Sequence, residues 1–135
     1  MKTAIDSSVL LDVLVPGGPF HSVSIKALKA TYNEGALVAC EVVWAEIRAH
    51  FLNDEMFDQT VRVLGLSFDP VSDKAAKLAG QLWREYRAAR RARQDHLVPD
   101  FLVGAHAQLQ ADRLLTRDRG FYRQYFTGIK ILDPS

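Results

Sequence analysis

The amino-acid sequence predicts an α/β fold, with a short parallel β-sheet of about five strands flanked by helices in three layers. The first observation is that short apolar segments alternate with longer amphipathic segments along the chain, which is typical of βαβ units. The second is size, because a chain of 135 residues with 48% hydrophobic residues can bury a proper core as one domain. We therefore expect a single domain over residues 1–135.

The predicted strands are short apolar runs that end at polar or turn-forming residues. The first run ends at Asp6, and the third is closed by Asp69 and Pro70. Runs of this length, bounded by turn signals, favour buried strands of a parallel sheet. The predicted strands occupy residues 2–5, 36–39, 66–68, 113–116 and 130–132.

The segments between the strands carry apolar residues at the spacing of an α-helix. Val43, Ile47 and Phe51, for example, recur every four residues. Gly35 follows the second helical segment and is well placed as its C-terminal cap. The inward stripe of that segment is predicted to be Phe20, Val23, Ala27, Leu28 and Ala30. The predicted helices occupy residues 7–14, 19–33, 41–53, 55–64, 72–93 and 99–110.

Composition and charge narrow the class of protein. The net charge is +1, from 17 basic and 16 acidic residues, so no global basic field indicates a nucleic-acid partner. The single cysteine, Cys40, makes no internal disulfide. Asp6 and Asp12 interrupt the N-terminal apolar stretch, which argues against a signal peptide, and no apolar run is long enough to predict a membrane span. We expect a cytoplasmic protein without a membrane partner.

Four acidic residues are placed where a parallel sheet would gather them. Asp6 ends the first predicted strand, and Asp118 comes just after the fourth. Asp100 opens the helix that leads into the fourth strand, and Glu46 lies on the helix after the second. Ligands of open parallel sheets bind beyond the carboxyl ends of the strands. The sequence therefore predicts one pocket that all four acids can reach.

A pocket with four carboxylates favours a hard cation. The like charges repel each other and would take up protons without one, whereas Mg²⁺ or Mn²⁺ prefers oxygen ligands. No Cys/His cluster has the spacing of a zinc site. One or two such ions can activate water and stabilise the charge on a phosphodiester. Each acid alone has a simpler interpretation, for example Asp100 as a first-turn acid favoured by the helix dipole.

The segments around the four acids resemble the PIN-domain nucleases, and among them the VapC-type toxins of VapBC toxin–antitoxin pairs. The resemblance covers nearly the whole chain, in the expected order. The last segment is the most specific, with a strand, Thr116, one residue, Asp118, and an aromatic residue three positions on. The matching segments are IDSSVLLD (5–12), VVWAEI (42–47), PDFLVGAHA (99–107) and LLTRDRGF (114–121).

The resemblance implies a PIN-like fold and a metal-dependent endoribonuclease that hydrolyses RNA. It implies that Mg²⁺ or Mn²⁺ is the cofactor, and that the partners are a cognate antitoxin and a second copy in a homodimer. Ser8 and Thr116 would support the site as polar groups. The catalytic and metal-binding residues would be Asp6, Glu46, Asp100 and Asp118.

Two positions depart from the family pattern. Glu41 stands where a small residue or proline is usual, and His106 stands where a small residue is usual. Neither is one of the four acids.

Arginines offer candidate contacts to RNA phosphates. Arg117 and Arg119 flank Asp118 and are the best placed, although they could instead form surface pairs that balance local charge. The basic tract 84–93 could contact RNA, or could be the solvated end of a helix, where cations are favoured. The neighbours at 95–96 could form a general-base pair, but a polar loop is the preferred interpretation.

Other functions have partial support. A phosphatase of the haloacid-dehalogenase type also begins with a strand that ends in Asp, but it uses a second Asp where this chain has Ser8. A receiver domain needs an adjacent acidic pair near its N-terminus and a late Lys, and this chain lacks both in the right context. A housekeeping RNA-processing PIN nuclease and a non-catalytic metal- or protein-binding module remain the alternatives.

Overall fold

A five-stranded parallel sheet organises the chain. The computed structural model describes residues 1–89 and 97–134. Its strands are β1 (Lys2–Ile5), β2 (Ala36–Ala39), β3 (Leu66–Phe68), β4 (Arg113–Leu115) and β5 (Lys130–Leu132). Its helices are α1 (Ser7–Leu14), α2 (His21–Glu34), α3 (Glu41–Arg48), α4 (Asp54–Leu64), α5 (Asp73–Ala88), α6 (Val98–Gln110) and α7 (Arg119–Tyr125).

The order of the strands reverses beside β1. The sheet runs β3-β2-β1-β4-β5, and every neighbouring pair is parallel. From β1 the chain forms β2 and then β3 on one side of β1, and it then returns to form β4 on the other side of β1. Helices connect the parallel strands, as crossover connections in such sheets require, which confirms the predicted α/β architecture. At such a reversal a crevice opens beyond the carboxyl ends of the two strands, here β1 and β4.

The central strands are apolar because both of their faces are covered. The last three residues of β1 and of β2 are buried, and so is all of β4, as is usual in parallel sheets. Arg113 of β4 is buried although its side chain is charged. Its Nε donates to Thr3 Oγ1 over 2.8 Å, and its guanidinium pairs with Glu34 at 3.3 Å. These contacts offset the cost of burying a charge.

The inward face of α2 differs from the predicted stripe. Its buried residues are Ser24, Leu28 and Thr31, whereas Phe20 and Val23 are 37% and 36% exposed. The two buried hydroxyls are satisfied, because Ser24 donates to the Asp12 carboxylate and Thr31 donates to backbone carbonyls of its own helix. A polar side chain with such partners can be buried at little cost. Leu28 was assigned correctly, and Gly35 is the C-terminal cap with φ 154°.

A turn divides the region predicted as one helix over 41–53. Helix α3 ends at Arg48, whose guanidinium donates to the Phe51 carbonyl and to the Asp54 carboxylate. Asn53 then caps α4, since its side chain accepts from the backbone N–H of Met56. Asn is a strong helix N-cap residue, and here it starts a new helix.

Helix α7 was not predicted. It is short and contains Gly120, which weakens its helical signal. The predicted helical segment 89–93 and the neighbours 95–96 fall largely outside the described residues, because Arg90, Arg91, Arg93, Asp95 and His96 are not among them. In the ranges 1–89 and 97–134, no helix is both long enough and apolar enough to cross a membrane.

Two helical glycines provide a matched test of core packing. A Cβ on Gly104 of α6 would overlap the buried ring of Phe126, whereas a Cβ on Gly80 of α5 would meet nothing. We expect Gly104→Ala to lower the free energy of unfolding by about 1–3 kcal/mol. Gly80→Ala should raise it by up to about 1 kcal/mol, because alanine is the better helix former. Urea unfolding measures both, and equal effects would contradict this packing.

Candidate active site

Asp6 is the centre of a hydrogen-bond network at the ends of β1 and β4. It caps α1, and its Oδ1 accepts from the backbone N–H of Ser7 at 2.9 Å. Its Oδ2 accepts from Thr116 Oγ1 at 2.7 Å and from Ser8 Oγ at 3.1 Å. The backbone N–H of Asp6 donates to the Leu115 carbonyl at 3.0 Å. The carboxylate is thereby fixed in the crevice where the strand order reverses.

Burial raises the pKa of the Asp6 carboxyl above its ordinary value, since the side chain is only 8% exposed. The hydrogen bonds from Thr116, Ser8 and Ser7 oppose this by stabilising the anion, and the charge of Asp100 adds to the rise. A buried carboxylate among several donors, close to a second carboxylate, is the electrostatic arrangement that a cation relieves.

Thr116 connects Asp6 to Asp118. The Thr116 hydroxyl donates to Asp6 and also accepts from the backbone N–H of Asp118 at 3.0 Å. Thr116 is fully buried, and its own backbone N–H donates to Leu132 of β5. Asp118 is exposed and stands at the N-terminus of α7. The strand–Thr–x–Asp segment therefore sets the path of the loop that carries Asp118.

Glu46 and Asp100 approach from two helices. On α3, partial burial of the Glu46 carboxyl raises its pKa, a hydrogen bond from Ser7 lowers it, and the charges of Asp6 and Asp100 raise it further. Asp100 lies in the first turn of α6, where its Oδ2 accepts from the backbone N–H of Leu97 at 3.0 Å. The helix N-terminus favours a negative charge at that position.

The buried phenol of Tyr122 feels the negative charge of the predicted acids. Tyr122 is 2% exposed, and burial raises its pKa well above its ordinary value of about 10. The negative charges of all the predicted acids raise it further, and these are Asp6, Asp100, Asp118 and Glu46. The sequence analysis did not single out Tyr122, which lies one turn after Asp118 on α7. The catalytic role of the four acids stays a prediction.

The chemistry of these donors fits Mg²⁺ or Mn²⁺. All of them are carboxylate oxygens, which hard cations prefer. Among the described residues, no three His, Cys, Asp or Glu side chains are grouped closely enough to hold a metal ion as they stand. Burial, and to a smaller extent the charge of neighbouring acids, raises the pKa values of Asp6 and Glu46, and repulsion between bare carboxylates opposes a tighter grouping.

The two predicted phosphate contacts are engaged within the chain. The Arg117 guanidinium pairs with Asp12 at 2.6 Å and lies 4.3 Å from the centre of the Phe20 ring. Arg119 pairs with Asp133 at 3.3 Å and remains 56% exposed. The geometry matches the charge-balancing interpretation, so a phosphate contact by either arginine would compete with these pairs.

The residues that depart from the family pattern have structural partners. His106 is 1% exposed, and its Nε2 hydrogen bonds with Asp69 Oδ2 at 2.9 Å. The Glu41 carboxylate accepts from the backbone N–H of Val71 at 2.9 Å. Each of these two residues ties the segment after β3 to a helix, so both stabilise the loop that follows this edge strand.

The sequence analysis missed Ser7, Asp12 and Tyr122. Ser7 donates through its backbone to Asp6, and its hydroxyl lowers the pKa of Glu46. The signal for Tyr122 was its spacing of four residues from Asp118, which places it one helical turn further on.

The chain is similar to known proteins along nearly its whole length. A family model described as the PIN domain matches residues 3–127, and no curated protein matches the chain. Among solved structures, VapBC2 from Rickettsia felis, bound to a promoter DNA fragment, has a TM-score of 0.73 at 14% identity and covers 98% of both chains. A toxin–antitoxin complex from Klebsiella pneumoniae has a TM-score of 0.68 at 21% identity, with 98% of both chains covered.

A third similar structure is VapC20 from Mycobacterium tuberculosis, described as a toxin that cleaves the sarcin–ricin loop. It has a TM-score of 0.58 at 13% identity, and the match covers 95% of this chain and 98% of that one. At such identities, these structural likenesses establish the fold.

The raised pKa of Asp6 predicts how stability depends on pH. Its carboxyl binds a proton more tightly in the folded state than in the unfolded chain, where its pKa is near 3.8. The free energy of unfolding therefore contains a stabilising contribution at low pH, which is lost as the pH rises through the raised pKa. The size of this contribution is about 1.4 kcal/mol for every tenfold difference in proton affinity between the folded and unfolded states. We expect the stability of the wild type to fall relative to Asp6→Asn as the pH rises above the ordinary pKa of 3.8.

Urea unfolding at several pH values, with EDTA present to remove divalent cations, measures this difference. Glu46→Gln should show the same direction, because the pKa of Glu46 is also raised. A stability difference between wild type and Asp6→Asn that stays constant with pH would contradict the burial of an ionisable Asp6.

Proposed function

The chain belongs to the PIN domain family, and from this premise we propose that it is a metal-dependent endoribonuclease that hydrolyses RNA phosphodiester bonds. Its proposed catalytic residues are Asp6, Glu46, Asp100 and Asp118, and residues 1–135 would act as one ribonuclease domain. The observation that carries the proposal is the placement of Asp6, which Thr116, Ser8 and the backbone of Ser7 hold at the carboxyl ends of β1 and β4. Asp6 follows β1 and Asp118 follows β4, the two strands between which the strand order reverses, and open α/β sheets bind their ligands at such a reversal.

The proposed cofactor is Mg²⁺ or Mn²⁺, held by carboxylates of the four acids. When bound, such an ion would activate water and neutralise charge on the phosphodiester. The chain's own groups do the positioning. Asp6 is held by Thr116, Ser8 and the backbone of Ser7, so its oxygens are oriented before any ligand arrives. Thr116 and Ser8 are accordingly supporting polar groups of the site.

The proposed biological role is that of a toxin in a toxin–antitoxin pair. The similar structures from Rickettsia felis and Klebsiella pneumoniae are toxin–antitoxin assemblies, and VapC20 is described as cleaving the sarcin–ricin loop. RNA is therefore the proposed substrate class. A homodimer is the proposed assembly, and light scattering would show it as twice the mass of the chain.

An apolar groove supports the proposed antitoxin partner. It has a volume of about 490 Å³ and lies between α1, α2 and α4. Val63, at 87% exposed, and Tyr32, at 57%, stand at its surface. An amphipathic helix of an antitoxin could bury its apolar face there. The residues that line the groove are Val13, Ile25, Leu28, Lys29, Tyr32, Asn33, Val63 and Leu64.

Cleavage assays test the proposed activity. We expect purified protein to cut RNA with Mg²⁺ or Mn²⁺ and to lose activity in EDTA. Asp6→Asn and Asp100→Asn should each lower kcat by on the order of 100-fold or more, because losing a residue that merely supports a metal ligand already costs 10- to 100-fold.

The matched control is Asp112→Asn. Asp112 accepts from the backbone N–H of Lys2 at 2.6 Å, at the amino end of β1 and β4 and therefore at the opposite end of the sheet. This variant should keep its activity. Cleavage that survives EDTA and both active-site substitutions would refute the metal nuclease.

A charge in the groove tests the antitoxin site. We expect Val63→Asp to weaken binding of the proposed cognate antitoxin by at least 10-fold, about 1.4 kcal/mol, because an unpaired charge would enter an apolar contact. Leu52→Asp is the control, since Leu52 is 89% exposed and does not line the groove. Calorimetric titration of each variant gives the affinities, and equal weakening by both would argue against this groove.

A further inference from the structure

We propose that Asp12 is a positioning residue of the active site. Through Arg117 it holds the loop between β4 and α7, which carries Asp118, against α1, which begins after Asp6. The consequence for cleavage rests on the proposed function, whereas the consequence for the loop itself does not.

The contact between Asp12 and Arg117 is bidentate and largely shielded. Arg117 Nε lies 2.6 Å from Asp12 Oδ2, and Nη2 lies 3.1 Å from Oδ1. The side chains are 12% and 31% exposed for Asp12 and Arg117, respectively. A two-point pair of this kind fixes both distance and orientation, and it is stronger than an exposed single contact.

Asp12 is itself immobilised by α2 and the turn before it. The fully buried Ser24 donates to Asp12 Oδ2 at 2.8 Å, and His21 Nδ1 donates to the Asp12 carbonyl at 2.9 Å. The ring of Phe20 covers the Arg117 guanidinium at 4.3 Å. The acceptor for Arg117 is therefore built into the packing of two helices, unlike a surface carboxylate that swings into place.

The pair gives the loop a second attachment to the same helix. The first is at the start of α1, where Thr116 donates to Asp6 and the backbone N–H of Arg117 donates to Ser8 Oγ at 3.3 Å. The second is at Asp12, more than one helical turn further along. One attachment would leave the loop free to rotate about it, whereas two fix its direction. The backbone of Asp118 follows directly from this segment.

This role differs from a phosphate contact in its effect on kinetics. Both carboxylate oxygens of Asp12 already accept hydrogen bonds from the Arg117 guanidinium. A carboxylate does not by itself attract the phosphates of RNA. If Arg117 positions Asp118, then loss of either partner should lower kcat by the same factor. If Arg117 binds phosphate, then its loss should raise KM, and loss of Asp12 should leave KM and kcat unchanged or improve binding.

The first test needs no catalytic activity. Hydrogen exchange of the Arg117 and Asp118 amides, both hydrogen bonded in the native loop, is compared in the wild type, Asp12→Asn and Lys77→Gln. Lys77 belongs to an exposed pair with Asp73 on α5. We expect at least about 10-fold faster exchange in Asp12→Asn at these amides, no change in Lys77→Gln, and unchanged exchange in α4 in both. Unchanged loop exchange in Asp12→Asn would overturn the proposal.

The second test uses RNA cleavage by Asp12→Asn, Arg117→Gln and their double variant. Each single substitution should lower kcat about 10- to 100-fold, as losses of groups that orient metal ligands do, with KM within about threefold. The double variant should be no slower than the slower single variant, since both remove one contact. Multiplying losses, or a change confined to KM in Arg117→Gln, would overturn the proposal. A wild type that does not cleave refutes the proposed function and leaves the exchange result to decide this inference.

Discussion

The hydrogen bonds that join the ends of β1 and β4 are the constraint on which this site depends. The backbone of Asp6 donates to Leu115, and the Thr116 hydroxyl donates to the Asp6 carboxylate. Because the strand order reverses at this point, the two strands diverge toward different crossover helices and leave a crevice between them. Glu46 and Asp100 then need only to lie on the helices that border it.

The site holds charge that the fold does not neutralise. Burial and neighbouring carboxylates raise the pKa values of Asp6 and Glu46, so the folded chain is less stable than one with neutral groups there. In contrast, Arg113 and Arg117, which are buried or shielded, are each paired with a carboxylate. Ionisable groups whose pKa is shifted by burial and by neighbouring charges are common at functional sites, where a ligand can compensate the cost.

The sequence revealed most of the architecture, because buried strands and amphipathic helices leave periodic patterns. It placed every strand to within a residue, and it singled out Asp6 and Asp118 by their positions just after strands. It could not reveal the inward face of α2, because Ser24 is buried by virtue of its bond to Asp12, a residue of another helix. Nor could it reveal that Arg117 turns toward Asp12, since that pairing joins residues 105 positions apart. Such contacts depend on tertiary packing, which local patterns do not encode.

The distance along the chain between Asp6 and Thr116 also has a consequence for biosynthesis. Their hydrogen bond spans 110 positions, and β4 takes its place beside β1 after β2 and β3 have been made. A ribosome delivers the N-terminal part of the chain first, so β1, α1 and three of the acids emerge before the strand that completes the crevice. The crevice, and with it the proposed nuclease site, would thus remain incomplete until β4 has been translated.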